Sequence, residues 1–576
     1  MRIKIYPIKK HKKLISLLVA SLFSLTAIAQ SAVSAFFPEI KILESNNPAP
    51  GYYFLAAKGI SAPGASLYIA IVDNYGTPVF FRKMNKASGS MRLLPDGRIA
   101  YMNGVPRKLY ILNSMLEVEQ IYAIQGFDVN GHDWAYDNNG NFLLMGEAIR
   151  YIDMSGLIAG GNINAEVLDL IIQEFDKDGN LKYTWNSADH FDIFDGNENS
   201  PYLDYTEAQL DYVHANSVAV DSDTSFIISN RHMDEITKVD RRTRNIIWRL
   251  GGKKNDFTFI NDPIGFSHQH SISRLENGNI LLFDNGNLHV SQVSTSIIYD
   301  LDEINMTATL IKRYGRTPEV YSNHGAGTQE VHNGNIINHW GTYWPSFTEF
   351  HKDGSIALDV DFTEHSFSPR INKFLWETKI FETDKDSLDF GQIENHEAVQ
   401  SLVTIKNNKT TNLVLTGFSS HSNLFEISAN FPITIAAGAS LAINVQFNSN
   451  NADKGVFEDV LTLFSDTDTE RIARQIWVFA EKLNNLTAIS ELDLRSVQFI
   501  LSPVPVSNIL DISTLSKDEK GFEIYSLSGQ LVYQSPTFIE NSMELNVSEF
   551  KDGIYLFVLT NKKTMLKQTK KLIIQK

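Results

Sequence analysis

The sequence predicts an all-β fold assembled from repeated sheets. Two observations predict it. Apolar residues seldom recur at helical spacing; short runs rich in Val, Ile, Phe and Tyr dominate, broken by Gly, Asn and Asp. Two short phrases also repeat in alternation over much of the chain. At 576 residues the chain exceeds what one core supports, so several domains are expected.

The first phrase is an Asp-Gly or Asn-Gly turn followed by an apolar strand. It occurs at Pro95-Asp96-Gly97-Arg98-Ile99, Asn139-Gly140-Asn141-Phe142, Asn277-Gly278-Asn279-Ile280 and Asn333-Gly334-Asn335-Ile336. The second is an apolar strand ending in Asp or a substitute, then a turn. It occurs at Val72-Asp73-Asn74-Tyr75-Gly76, Phe175-Asp176-Lys177-Asp178-Gly179, Val239-Asp240-Arg241 and Phe350-His351-Lys352-Asp353-Gly354. About six cycles follow one another at roughly 40 to 65 residues. Repeats of that kind predict a six-bladed β-propeller over residues 51–378. Insertions at 151–166 and 187–212 are placed over one end of its channel.

Before the repeats, Lys9, Lys10, Lys12 and Lys13 precede an apolar stretch at 14–25, and Ala27-Ile28-Ala29 offers a small-residue cleavage site. This predicts a cleaved signal peptide at 1–29. No other run reaches the roughly 18 apolar residues that span a bilayer, so no transmembrane anchor is expected after cleavage. The chain has no cysteine, which removes thiolate catalysis, cysteine zinc sites and disulfides. Its net charge of −16 argues against nucleic acid as a partner.

After the repeats the grammar changes. Leu388-Asp389-Phe390-Gly391 and Val445-Gln446-Phe447 belong to a predicted small sandwich at 383–480. A linker is placed at 481–497 and a second small β-sandwich at 498–576.

The chemistry concentrates at Val213-His214-Ala215-Asn216-Ser217, Ser229-Asn230-Arg231-His232, His268-Gln269-His270-Ser271 and Phe283-Asp284-Asn285-Gly286-Asn287. His132, in Gly131-His132-Asp133-Trp134, precedes an Asn-Gly-Asn strand in the same way. Histidines at equivalent points of successive blades converge on one channel. Without a thiol, neutral imidazole is the best nucleophile available, and His270 is the candidate. His132, His214 and Arg231 are placed around it, the guanidinium fork suiting a tetrahedral oxyanion. Asn216 and Asn285 are read as neutral donors to substrate, and His268 as a neighbour of the site. Three histidines can also hold zinc, but no His-Glu-x-x-His pattern is present. The loop at 195–199 lacks the spacing of a calcium loop. No metal and no cofactor are therefore expected.

These motifs resemble the bacterial aryl-sulfate sulfotransferases. The likeness rests on His132-Asp133-Trp134, His214-Ala215-Asn216-Ser217, Ser229-Asn230-Arg231-His232, Gln269-His270-Ser271 with the following Asn-Gly-Asn strand, and Gly327-Thr328-Gln329-Glu330-Val331-His332-Asn333-Gly334-Asn335. The resemblance implies a six-bladed propeller and a transiently sulfated histidine at His270, supported by His132, His214, Asn216 and Arg231. It further implies ping-pong transfer from a phenolic sulfate donor to a phenolic acceptor without a nucleotide cofactor. Ser271 stands where the family often has Asp or Thr, and the N-terminal dimerisation domain of some members is not seen. Two other readings stay open: a secreted, non-catalytic propeller binding glycan or matrix, and a sulfatase-like hydrolase using the same site.

The segment 383–480 resembles immunoglobulin-like modules of the ASPM/SPD-2/Hydin type, with Asn448 where those modules usually carry Pro. The last segment resembles the C-terminal sorting domain of type IX secretion. Ser502-Pro503-Val504-Pro505, Ile509-Leu510-Asp511-Ile512, Ile524-Tyr525-Ser526-Leu527-Ser528-Gly529 and Asp552-Gly553-Ile554-Tyr555 carry that likeness. It implies the type IX machinery as a partner and a secreted or cell-surface location.

Overall fold

The computed structural model describes residues 37–576 apart from 38, 60–66, 87, 106, 223, 363–365, 369, 395–397, 484–496 and 528. The predicted signal segment 1–29 and most of the linker 481–497 lie outside the described residues. No α-helix occurs among the described residues; the elements are strands and short 3-10 turns, so the chain is all-β. It divides into two compact units, one of 378–489 and one joining 38–377 to 490–576.

In the larger unit, four sheets begin with sequential antiparallel meanders. The first runs Ser88–Leu93, Ile99–Asn103, Lys108–Leu112, Val118–Tyr122. The second runs Asp128–Tyr136, Phe142–Ile152, Ala165–Phe175, Leu181–Asn186. The third runs Ala215–Ser222, Ser225–Asn230, Glu235–Asp240, Ile246–Gly251. The fourth runs His270–Arg274, Ile280–Asp284, Thr295–Asp302, Thr307–Tyr314, with Thr258–Ile260 parallel at its outer edge. A fifth sheet runs Gly327–Glu330, Ile336–His339, Phe347–Phe350, Ile356–Phe362. Its outer edge pairs with Ile40–Ser45, a strand upstream of the expected start at residue 51.

A sixth sheet combines the two ends of this region. Ile371–Phe374 pairs antiparallel with Tyr52–Gly59, which pairs with Leu67–Val72 and then Pro78–Met84. The first strands of consecutive sheets are spatial neighbours, and Ile371–Phe374 neighbours Ser88–Leu93.

The repeated turn has a physical cause. Gly97, Gly140, Gly278 and Gly334 all have positive φ, at 86°, 85°, 91° and 79°. Only glycine takes that conformation without strain, so the dipeptide recurs where the first strand turns into the second in the first, second, fourth and fifth sheets. The second strands are then buried from that turn onward, as Ile280–Asp284 is at every position, except that Phe142–Ile152 emerges beyond Gly146. Aromatics fill the space between sheets. Trp134, Tyr122, Phe142 and Phe175 pack between the first and second, and Trp248, Phe257, Phe266 and Tyr299 between the third and fourth. Each such side chain contributes on the order of 1.5–3 kcal/mol by leaving water.

The C-terminal part of this unit has two sheets around one core. One joins Phe499–Ser502, Ile509–Thr514 and Ser542–Asn546; the other joins Leu531–Gln534, Lys520–Ser526, Gly553–Asn561 and Lys567–Ile574. Phe499, Leu510, Ile512, Phe522, Phe557 and Leu572 lie between them. This segment is grouped with 38–377, and Lys551 Nζ lies 2.8 Å from His351 Nδ1.

The unit 378–489 also has sheets on either side of a core. Phe381–Thr383, Ala398–Asn407, Ser440–Asn448 and Phe425–Ile427 form one sheet. Ser387–Ile393 pairs parallel with Glu470–Lys482, which pairs with Gly455–Asp466. Val403, Val445, Phe447, Leu461 and Ile476 are buried.

Candidate active site

The first strands of the second, third and fourth sheets share a local irregularity. Pairing of Asp128–Tyr136 with its neighbour shifts register between Leu144 and Gly146, which bulges out 130–133 and with it His132. In the third sheet the shift falls between Ala215 and Ser217, at Asn216, just after His214. In the fourth it falls between His270 and Ser273. Bulges re-aim side chains off the alternating pleat. Here they take the candidate residues out of the ordinary in–out pattern. His214, His268 and Ser271 also have positive φ, at 41°, 52° and 54°.

Four of the imidazoles are near neighbours. The ring centroids of His132 and His214 are 5.2 Å apart, those of His214 and His232 4.4 Å, and those of His232 and His268 6.1 Å. His270 Nδ1 lies 2.7 Å from Asn285 Oδ1 and 3.1 Å from the His268 carbonyl oxygen. Both partners are acceptors, because the Asn285 amide donates to the carbonyls of Ser322 (2.7 Å) and Gly325 (3.3 Å). The proton of His270 therefore sits on Nδ1, and Nε2 keeps its lone pair. Burial, followed by the charges of Arg231 and Arg370, holds His270 well below the ordinary histidine value, so the ring is neutral.

Asn285, expected as a donor to substrate, thus spends its amide hydrogens on backbone and orients His270 instead. Asn216 is comparable. Its amide donates 2.7 Å to the carbonyl of Gln269, the residue before His270, and fixes that loop rather than facing a ligand with that bond.

Arg231 follows Ser225–Asn230 in a 3-10 turn and is only 4% exposed. Its Nη1 donates to His232 Nε2 (2.8 Å) and its Nη2 to the Asn323 carbonyl (3.1 Å). The guanidinium lies 4.5 Å from the centroid of Tyr202, which also stacks on His232. No carboxylate of the described residues is within ion-pair distance; Asp211 and Asp234 act on it only from farther away. Burial pulls its value down, the mark of a cation short of compensation.

Several working residues are invisible to motif reading. Asp211 Oδ2 lies 2.5 Å from His214 Nδ1, and the Asp211 backbone oxygen accepts from His232 Nδ1 at 2.5 Å. His232 is pushed down to about 3 by burial and then by His214, so it stays neutral and accepts from Arg231. Asp211 and Tyr202 come from the insertion 187–212, which does reach the site as expected. The insertion 151–166 extends the hairpin of Phe142–Ile152 and Ala165–Phe175. His132 donates from Nδ1 to Asn130 Oδ1 at 2.7 Å. Desolvation by the surrounding protein, then His214, Arg107 and Arg370, lowers its value, although the residue as a whole is exposed.

Among the described residues, ligand atoms of Asp211, His214 and His232 lie within 4.8 Å of one another, a spacing a metal ion accepts. In this structure those atoms are already bonded: His214 to the Asp211 carboxylate, His232 to the Asp211 backbone and to Arg231.

Fold and site define an all-β protein with neighbouring imidazoles beside a buried arginine. A family model described as Arylsulfotransferase (ASST) matches residues 64–379. The chain belongs to the arylsulfotransferase family, and that membership supports aryl sulfotransferase activity. A secretion-system C-terminal sorting domain matches 501–575; the chain carries a type IX sorting tail and is exported, to the surface or the surroundings of the cell. Residues 381–478 match DUF1573, a family of unknown function. No helix among the described residues is long and apolar enough to cross a membrane.

No curated protein matches the chain. Solved structures similar to it include PorZ, a surface component of the type-IX secretion system of Porphyromonas gingivalis (12% identity, 90% of this chain and 71% of that one, TM-score 0.22). A protein of unknown function from Porphyromonas gingivalis W83 is similar at 8% identity over 34% of this chain and 100% of that one (TM-score 0.21). A PapD-like domain of human CEP192 is similar at 11% identity over 19% of this chain and 87% of that one (TM-score 0.16). Scores this low carry no argument about fold or function.

Proposed function

We propose that the protein moves a sulfuryl group from a phenolic sulfate ester to a phenolic acceptor by a ping-pong route through sulfated His270. One observation carries the reading: the single hydrogen of neutral His270 is held at Nδ1 by Asn285 and His268, which frees Nε2, and Arg231 acts on it as a buried, carboxylate-free cation.

In the first half-reaction His270 Nε2 attacks sulfur. The S–N bond forms as the S–O(aryl) bond breaks, and the electron pair leaves on the phenolate. Arg231 holds the equatorial oxygens, the role fixed cations play in phosphoryl transfer. His214 is the proton donor to the phenolate and later the base for the incoming phenol; the Asp211 carboxylate at its Nδ1 offsets charge whenever the ring carries a second proton. His132 lines the oxyanion beside it. The second half-reaction reverses these steps onto the acceptor oxygen, and His270 is regenerated.

The six sheets serve as the blades of a six-bladed propeller. Successive neighbouring first strands and the sixth sheet, built from both ends of the region, support that reading. The unit at 378–489 is read as immunoglobulin-like and the signal peptide as cleaved after residue 29.

The test uses 4-nitrophenyl sulfate with and without phenol. Phenol-dependent nitrophenol release is expected, with a sulfuryl adduct on a His270-containing peptide by mass spectrometry. Full activity of His270→Ala overturns the assignment. Release independent of phenol makes the protein a hydrolase, and binding without release makes it a non-catalytic propeller.

A further inference from the structure

The insertion 187–212 is fastened to the histidine cluster through Asn197 and Ser200. Asn197 donates its backbone N–H to the His232 carbonyl (2.8 Å) and its Nδ2 to Asp234 Oδ2 (2.6 Å). Ser200 is buried, and its Oγ lies 2.8 Å from His268 Nε2. Tyr202 donates its backbone N–H to the same Oγ (3.3 Å), and its ring lies 5.8 Å from that of His268.

His268 is fully buried and is held from its other side by Asp234. Its backbone N–H donates to Asp234 Oδ1 (2.5 Å), and its Nδ1 lies 3.2 Å from that oxygen without a hydrogen bond to it. A lone pair on Nδ1 would face the carboxylate, so the ring hydrogen sits there and Nε2 accepts from the Ser200 hydroxyl. Hydroxyl, imidazole and carboxylate thus stand in the order of a nucleophile relay. Burial of all three side chains gives Ser200 Oγ no route to a substrate, so it is not read as a nucleophile. The relay reaches His270 instead. The His268 carbonyl is one of the two acceptors at His270 Nδ1, 3.1 Å away. His268 also holds a positive φ of 52°, which a residue with a side chain keeps only where its surroundings fix it. Ser200 at one end of the ring and Asp234 at the other supply that constraint.

We infer that Ser200 is a positioning residue for His270. By holding the His268 ring it keeps the His268 carbonyl on His270 Nδ1, and so couples the seating of the insertion to the free lone pair at Nε2. The inference deepens the transfer reading, and its kinetic test rests on that reading.

Threonine and valine share a shape and differ in the hydroxyl, so the two substitutions separate the hydrogen bond from packing. Ser200→Val is expected to lower kcat for 4-nitrophenyl sulfate about tenfold, the worth of one hydrogen bond, with the donor KM nearly unchanged. Ser200→Thr should restore most of the rate. Equal activities for the two variants, or a loss confined to KM, overturn the inference. A spectroscopic test needs no turnover. In full-length protein carrying labelled histidine, the Nδ1–H resonance of His270, assigned with His270→Gln, should move in Ser200→Val and stay in place in Ser200→Thr. That pattern in a protein without transfer activity keeps the Ser200 link and strikes the sulfuryl-transfer reading. A resonance unmoved in Ser200→Val overturns the link whatever the activity. If Ser200→Val does not fold, Ser200→Ala takes its place in both comparisons.

Discussion

Two buried cations in the same unit are treated in opposite ways. Lys373 is enclosed between the fifth and sixth sheets. Its Nζ bonds Glu349 Oε2 (2.7 Å), Tyr53 OH (2.9 Å) and Asn74 Oδ1 (2.7 Å), and both charged side chains are fully buried. Glu349 is satisfied in turn by Ala49 N, Tyr53 OH and Asn335 Nδ2. Arg241 repeats the pattern between second and third sheets, with Asp137 and Glu174 at 2.7 and 2.8 Å. Among the described residues, Arg231 has a neutral imidazole, a carbonyl oxygen and a tyrosine face and no carboxylate. These two cations that join sheets are paid in full by carboxylates; the one beside His232 is not. The difference separates scaffold from site without reference to motif.

The largest expected effect attacks the scaffold side. Lys373→Met strands Glu349 in a dry interface, and breaking a buried pair this way costs about 3–5 kcal/mol. Chemical denaturation should show that loss, with kcat per folded molecule nearly unchanged. The next effect attacks the site side. On the proposed mechanism, Arg231→Met removes the oxyanion clamp and should lower kcat/KM for the donor by about 10²–10³-fold. Its stability should hold or rise, because an uncompensated buried charge has been removed. If Arg231→Met unfolds the protein as Lys373→Met does, the two cations are alike and the contrast fails.

A smaller effect tests how the proton is handled. Asp211→Asn keeps the bond to His214 Nδ1 but removes the charge behind it. Transfer is expected to fall by on the order of 10–100-fold, as when a group orienting a working histidine is replaced. The loss should be greater for donors with poor leaving groups, which need the proton, than for 4-nitrophenyl sulfate. An equal loss for both donors would make Asp211 a purely structural support of the loop.

Much of this was legible from residues alone. The Asp-Gly and Asn-Gly turns marked the strand boundaries because a positive φ selects glycine, and the histidines beside them marked one end of neighbouring sheets. The sequence could not show what the side chains spend their hydrogen bonds on. Asn285 and Asn216 read as free donors, yet Asn285 gives its amide hydrogens to Ser322 and Gly325, and Asn216 donates to Gln269. Asp211 and Tyr202 sit in an insertion without periodicity, so nothing local tied them to His214 or Arg231. His232 stood beside Arg231 in a quoted motif, but its role follows from a register of rings set by tertiary packing. The strand Ile40–Ser45 was missed because its partner lies some 300 residues away, at Ile356–Phe362.

The smallest effect separates the two regions by pH. His232, 4% exposed, is pushed down to about 3 in the folded protein, against about 6.5 in an unfolded chain. As pH falls below about 6.5 the unfolded state takes up a proton that the folded state refuses. The stability tied to the neutral ring is therefore whole above that point and drains toward pH 3, at up to about 1.4 kcal/mol per pH unit. Glu349 behaves differently. Lys373 and the hydrogen bonds around it outweigh burial and hold its carboxyl below the ordinary value, so its contribution is lost only as pH falls below about 4.3. Between pH 6 and 5 the site should soften while the scaffold does not. Urea midpoints across that range should show a slope for the wild type that His232→Gln reduces, with no change for a variant of the Lys373 cluster that still folds, such as Asn74→Asp. A slope untouched by His232→Gln would mean the ring is already charged in the folded state, and Arg231 would then face a second cation instead of an acceptor.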